Sequence, residues 1–248
     1  MRFQLRLILA LAFTGFFGTL SAQITSGTID YNESSTFDFG DWMDKERKEQ
    51  MAKRMAAGDF DRSGRLQFSA DAFSYTQVVD EDKAALGGWF ARMGDNPDIF
   101  FTSTKDSTVT DRRQVMDQSF IMEDEWVTPK WNIANMKVGM KEIPLPTQLA
   151  TAVSIEGDTL LAYFTPSIPL SIGPRGYGGL PGAIVYLKVT KDGRSTEYTM
   201  TTMQPNAELD MARPADEKVI TRKEFDKQQK RANEMMERRR RGWERSRG

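Results

Sequence analysis

With no histidine and no cysteine among its 248 residues, the chain has only carboxylates, hydroxyls, lysines and arginines for acid–base, metal or nucleophilic chemistry. That composition excludes serine–histidine–aspartate triads, cysteine–histidine pairs, histidine-ligated zinc and thiolate metal sites. Two carboxylate groupings remain. Asp59, Asp61 and Ser63 occupy positions one, three and five of a calcium-loop pattern, with Gly64 at six. Position twelve is Ala70 where a bidentate glutamate belongs, so the spacing also suits an Asx-type turn between a helix and a strand. The second grouping is Asp95, Asp98, Glu123, Asp124 and Glu125. These acids lie near aromatic residues and would support a histidine-free hydrolysis if two of them converged. The fourteen methionines, without histidine or cysteine to assist, fit packing better than a copper(I) site. No cofactor is called for.

The elements that must position these groups are mostly short strands. Ile24 to Tyr31 reads as a first strand, and Asp41 to Ala57 as a charged peripheral helix that touches the body through Trp42, Met51 and Met55 and stops at Gly58. Strand-like runs follow at Leu66–Phe68, Phe73–Val79, Asp98–Thr104, Thr108–Met122 and Trp126–Ile133. Gly157-Asp158 and Asp192-Gly193 each divide two apolar runs, which predicts two hairpins within residues 149–203 and hence antiparallel pairing. In the last of these strands Ala183, Val185, Leu187 and Val189 share a face opposite Tyr186, Lys188 and Thr190. A sheet with one dry face and few apolar helices must curl on itself. The expected fold is therefore mainly β: a curved antiparallel sheet, half-barrel or open barrel-like, with one N-terminal peripheral helix and a C-terminal charged helix.

The ends carry separate signals. Arg2 and Arg6 flank an uncharged run from Leu7 to Leu20, followed by Ser21-Ala22-Gln23, the pattern of an export signal cleaved after Ala22. Residues 23–215 then form a single β-rich domain, and residues 216–248 a basic tail. From Asp216 to Gly248 the net charge is +5, whereas Gln23 to Ala215 carries -8. Thr221-Arg222-Lys223-Glu224 is a capping-box pattern starting a helix that runs to about Arg241, with sparse apolar positions at Phe225, Ala232 and Met236. Its Arg238–Arg241 run suits a solvated helix end or an acidic envelope partner. An exported protein rarely meets nucleic acid, so none is expected as a partner. A membrane span after signal cleavage is not expected either.

The sequence Gly176-Tyr177-Gly178-Gly179-Leu180-Pro181-Gly182-Ala183-Ile184 leads directly into a strand. Pro166, Pro169, Pro174 and Pro181 stiffen the connection before it, while Gly173, Gly178, Gly179 and Gly182 admit close backbone approach. This run, together with Phe164-Thr165-Pro166-Ser167-Ile168-Pro169 and Trp131-Asn132-Ile133, resembles the GLPGLI family of secreted bacterial proteins, with Ala183 replacing the second leucine of the signature. The resemblance implies a β-rich exported protein, periplasmic or secreted, without an assigned biochemical role. It also implies, by analogy, association with outer-membrane transport. The expectation is a non-catalytic binding or accessory module whose contact surface includes Tyr163, Tyr177, Leu180 and Tyr186, with an envelope protein or outer-membrane component as partner. A carboxylate hydrolase and a calcium-stabilised module with Asp59, Asp61 and Ser63 as ligands are the alternatives.

Overall fold

The computed structural model describes residues 24–37, 43–78, 97–141, 143–211, 213–215 and 217–245. The export signal, Trp42 and Asp95 lie outside the described residues. Twelve strands form one sheet: β1 (Gly27–Phe37), β2 (Arg62–Phe68), β3 (Ala72–Val78), β4 (Ile99–Ser103), β5 (Thr108–Val115), β6 (Gln118–Glu125), β7 (Asn132–Met140), β8 (Ile143–Val153), β9 (Thr159–Thr165), β10 (Ala183–Lys191), β11 (Arg194–Pro205) and β12 (Val219–Ile220). Their spatial order is β12-β6-β5-β4-β3-β2-β1-β11-β10-β9-β8-β7. Every pairing is antiparallel except β12 with β6, which is parallel. Two meanders, β1–β6 and β7–β11, are thus joined by the pairing of β1 with β11.

Curvature follows from contacts that a flat sheet cannot make. Eight strands separate β6 from β8, yet Arg222 binds Asp124 at the end of β6 at 2.8 Å and Glu156 in the β8–β9 turn at 3.1 Å. The sheet curls until its two wings meet over the inner face. That face carries the core: Ile29, Tyr31, Leu66, Phe68, Phe73 and Tyr75 from β1–β3 pack with Ala150, Ala162, Phe164, Leu187, Tyr198 and Met200 from β8–β11. The alternation along each strand supplies these positions.

Two helices flank the sheet. In α1 (Lys45–Ala56), Asp44 caps the N-terminus by accepting from the Arg47 amide at 2.9 Å, and no residue of the helix is buried. It is peripheral, as its charge predicts. In α2 (Arg222–Arg245) the capping box forms: the Thr221 amide donates to Glu224 Oε2 at 2.9 Å, and the Glu224 amide donates to Thr221 Oγ1 at 3.3 Å. Phe225 is buried against Phe120, Met122 and Ile220. Ala232 is buried as well, but Met236 is exposed, so the helix docks by its first turns and then leaves the sheet.

Several sequence expectations need correction. Thr108–Met122 is two strands, because Met116 takes a left-handed backbone (φ 59°) in the tight turn to Asp117. Trp126–Ile133 is mostly a linker, and strand pairing begins only at Asn132. The segment after β11 crosses the outer face of the first meander. Gln67 exchanges two hydrogen bonds with the Asp210 backbone, and Arg213 binds Thr110 Oγ1 and Glu123 before β12 reaches the sheet edge.

Candidate functional site

The signature loop, residues 166–182, folds inward over the sheet. Ile168 and Ile172 enter the core, and their carbonyls accept from the Ala183 amide (3.0 Å) and the Ile184 amide (2.9 Å). A bulge in β10 turns the Ile184 carbonyl toward the interior, where the Tyr31 hydroxyl donates to it at 2.5 Å. Burial among apolar neighbours raises the Tyr31 pKa, so the hydroxyl stays a donor.

The glycines answer to the 126–131 linker lying across the loop. Trp126 Nε1 donates to the Gly176 carbonyl at 3.1 Å, and Trp131 Nε1 donates to the Gly178 carbonyl at 2.8 Å. A Cβ on Gly178 would lie 2.6 Å from the Trp126 ring, and one on Gly179, where φ is 90°, would lie 2.7 Å from Thr128. A Cβ on Gly182 would meet the Thr165 carbonyl at 2.3 Å. Gly173 is equally crowded, 2.7 Å from the Tyr177 carbonyl. Pro174 is buried and opens a short 3-10 turn, while Pro166, Pro169 and Pro181 stay on the exposed side of the loop.

The four candidate contact residues do not form one surface. Leu180 is buried in the core. Tyr163 and Tyr186 face each other across β9 and β10 on the outer side of the sheet, with ring centroids 5.4 Å apart. Tyr177 is on the inner side and lines a cavity of about 350 Å³ at one end of the curl.

That cavity gathers residues distant in sequence. Strand β5 sends Val109, Asp111 and Arg113 inward at every second position. Phe100 comes from β4, Trp126 and Val127 from the linker, and Glu156 and Asp158 from the β8–β9 turn. Lys191 and Arg194 come from the β10–β11 hairpin, Tyr198 from β11, Arg175 and Tyr177 from the loop, and Arg222 from α2. Arg175 has a left-handed backbone (φ 52°, ψ 35°) and holds its guanidinium 4.5 Å from the centre of the Phe100 ring. Burial works against its charge, but Tyr198, Glu33 and Asp98 around it raise its pKa, so it remains a cation. Tyr198 lies close enough for the two groups to influence each other's charge. Behind it, the buried carboxylate of Glu33 accepts from the Tyr75 hydroxyl and from Gln77 Nε2 at 2.8 Å.

Arg113 lies between two rings, 5.4 Å from Phe100 and 4.8 Å from Phe225. Burial and the neighbouring Arg175 lower its pKa, and its Nε has no hydrogen-bond partner. Asp111 is buried, and desolvation pushes its pKa up to about 7 against the opposing pull of Arg113, Arg222 and Arg175. A carboxyl beside three guanidiniums would ordinarily be held low, so here burial outweighs charge. The remaining acids at the rim are largely engaged: Asp158 pairs with Lys191 at 3.1 Å, and Glu156 and Asp124 pair with Arg222.

Sequence reasoning missed Asp111, Arg113, Arg175, Trp126 and Tyr198 as site residues. Two signals were available: alternating charges in a strand, and an arginine wedged between Pro174 and Gly176. Of the acids proposed for hydrolysis, Glu125 lines the cavity. Asp98 accepts from the Gln114 amide at 2.9 Å, and Glu123 pairs with Arg213 on the outer face. The calcium-pattern residues are placed as turn and strand residues. Asp59 pairs with Arg54 at 2.9 Å, Asp61 accepts from Asn32 at 3.0 Å, and Ser63 lies in β2. Among the described residues no group of three or more acids could hold a metal ion.

The molecule is thus a β protein built on one curled twelve-stranded sheet with a polar cavity at its mouth. Residues 102–186 match a family described as "Protein of unknown function (Porph_ging)", a stretch that spans β5–β9, the signature loop and the start of β10. Two solved structures of PNGF-II, in C2 and P21 space groups, are similar with TM-scores of 0.52 and 0.51 at 9% and 10% identity, over 83% of this chain. The chain spans 33% and 34% of the length of those proteins, and at such identity the likeness is one of fold alone. No curated protein matches the chain. Among the described residues no helix is long and apolar enough to cross a membrane.

Proposed function

We propose that this protein is an exported cell-envelope component of the GLPGLI type, working as a non-catalytic binding or accessory module through the cavity on its inner face. The finer family assignment rests on Gly179-Leu180-Pro181-Gly182, on the upstream Thr165-Pro166 and Ile168-Pro169 pairs, and on Trp131. The observation that carries the binding reading is the cavity itself. Residues from seven separate stretches converge there on exposed polar groups, instead of being sealed into the core. Export rests on the Arg2–Ala22 pattern, and association with an outer-membrane transport component follows by analogy.

Recovery of the protein from the native envelope tests this reading. N-terminal sequencing should begin at Gln23, and crosslinking with native mass spectrometry should capture a partner or a carried small molecule. Retention in the cytoplasm with an intact N-terminus would sink it.

A carboxylate hydrolase remains as the second reading, because Asp111 is a buried carboxyl with a pKa near neutrality. It lacks a second uncommitted acid deep in the cavity, since Glu156 and Asp158 are ion-paired. Turnover of glycoside or ester substrates that vanishes in Asp111→Asn would favour it over binding.

A further inference from the structure

We infer that the cavity receives an oxyanion, a carboxylate or a phosphate carried on a small apolar or aromatic body, with Arg175 and Arg113 as its cationic clamp. This rests on the binding reading above and specifies the ligand. Among the charges lining the cavity, Lys191 is committed to Asp158 and Arg222 to Glu156 and Asp124. Arg113 faces Asp98 Oδ2 at 3.9 Å, so what is left is Arg175 and Arg194 against Asp111 and Glu125. With Asp111 protonated the uncommitted charge is cationic, and Arg175 holds its share of it over the Phe100 ring.

Arg175 is the more telling of the two. It follows Pro174 and precedes Gly176, in a backbone conformation that a β-carbon makes unfavourable. A turn needing only that shape would be served by glycine or asparagine, so the arginine is kept for its side chain, and strain of this kind collects at ligand clamps. The stacking on Phe100 orients the guanidinium before any ligand arrives. Arg113 is held between Phe100 and Phe225, and its buried Nε, 3.9 Å from Asp98 Oδ2, makes no hydrogen bond. Trp126, Val127, Ile155 and Tyr177 supply the apolar walls for the body of the ligand.

Asp111 determines when the site is open to an anion. Facing it are Arg113 on its own strand, Asp98 ahead of β4, Arg175 from the loop, Arg222 from α2 with its partners Asp124 and Glu156, and Glu125 at the rim. Protonated, it presents a hydroxyl donor and no charge. Ionised above neutrality, it neutralises the clamp and repels the ligand, so anion affinity falls as pH rises.

Calorimetric titration of the full chain with benzoate, phenyl phosphate and the uncharged benzamide tests the assignment. Both anions should bind at about pH 6 and roughly fivefold more weakly at about pH 8.5, while benzamide does not bind. The tighter of the two anions identifies the ligand as carboxylate or phosphate. Arg175→Gly, which suits the left-handed backbone, should fold and lose about tenfold or more in anion affinity. If it fails to fold, Arg175→Gln provides the same comparison. Benzamide binding as well as benzoate, or Arg175→Gly binding both anions like the parent, would overturn the anion assignment and leave the binding reading standing. Affinity unchanged between the two pH values would remove Asp111 from the site. Failure of all three probes, with no carried mass in the envelope-purified protein, would overturn both.

Discussion

The two ends of the inner face are built on different terms. Where the 126–131 linker crosses the signature loop, each close contact is met by a complementary group. Two indole N–H donors meet two glycine carbonyls, Ser171 Oγ accepts from the Gly179 amide at 2.5 Å, and apolar side chains fill the rest. At the other end a carboxyl is held near neutral pKa, an arginine is backbone-strained and a buried guanidinium nitrogen makes no hydrogen bond. Folding alone accounts for the first end. It does not account for the second, since buried charge and strain cost stability and persist where they serve something else.

The largest effect should come from crowding the packed end. A side chain at Gly182 must displace the Thr165 carbonyl, which is backbone and part of the β9–β10 pairing. Gly182→Val should therefore cost about 3 kcal/mol or more and leave most of the protein unfolded at 37 °C, as read by urea denaturation. If the variant folds with parental stability but loses a partner, the loop is a contact surface and the contrast between the two ends fails.

At the cavity end the expected change has the opposite sign. Asp111 binds its proton more tightly in the folded state, so its contribution favours folding at low pH and is lost as pH rises from about 4 through about 7. Asp111→Asn removes that loss. It should leave stability nearly unchanged at acidic pH and raise it above neutrality by a few kcal/mol, at about 1.4 kcal/mol per unit of pKa difference. Denaturation midpoints of parent and variant across pH 4–9 should diverge progressively and level off near pH 8. Parallel curves would show that Asp111 is an ordinary solvated carboxyl.

Trp131→Phe sharpens the comparison from the packed side. The ring is retained, but the Gly178 carbonyl loses its donor at a crowded point of the loop. A loss of about 1–3 kcal/mol is expected, without pH dependence. The same pH-independent loss in Trp126→Phe, together with altered anion binding, would place the Gly176 carbonyl on the boundary between the two ends.

The packed end was far more legible in the sequence than the cavity. Hairpins at Asp192-Gly193 and around Gly157 announce themselves by local turn chemistry; Asp192 and Gly193 both take positive φ, as a tight hairpin requires. The signature loop is readable because its prolines and glycines are contiguous. The capping box at Thr221 is likewise local. By contrast, the pairing of β1 with β11 joins residues such as Tyr31 and Met200, far apart in the chain, and no local pattern encodes it. The cavity depends on that pairing and on the curl it permits. Acids close to aromatic residues along the chain stand out in the sequence, whereas Asp111 meets Arg175 and Arg222 only after the wings of the sheet close. The outward position of Tyr163 and Tyr186 follows from strand alternation and was foreseeable, but their separation from Tyr177 depends on the loop folding inward.

The smallest expected change in stability lies at the junction of the cavity and the tail. Thr221 and Glu224 cap α2 reciprocally, and Glu224, fully in solvent, has a lowered pKa because the Thr221 amide and hydroxyl donate to it. Thr221→Ala should cost only about 1 kcal/mol. Its consequence for the cavity should be larger than that figure suggests, because the next residue is Arg222, the clamp between β6 and the β8–β9 turn. Fraying the first turn releases Glu156 and moves a cation away from Asp111, which weakens the opposing pull on its proton. The pH at which the Asp111-linked stability change occurs should therefore move upward in Thr221→Ala, while the Trp131 and Gly178 contacts at the packed end stay as they are. A unchanged midpoint alongside a frayed helix would mean that the wings of the sheet are held together without Arg222, and that cavity and tail are independent.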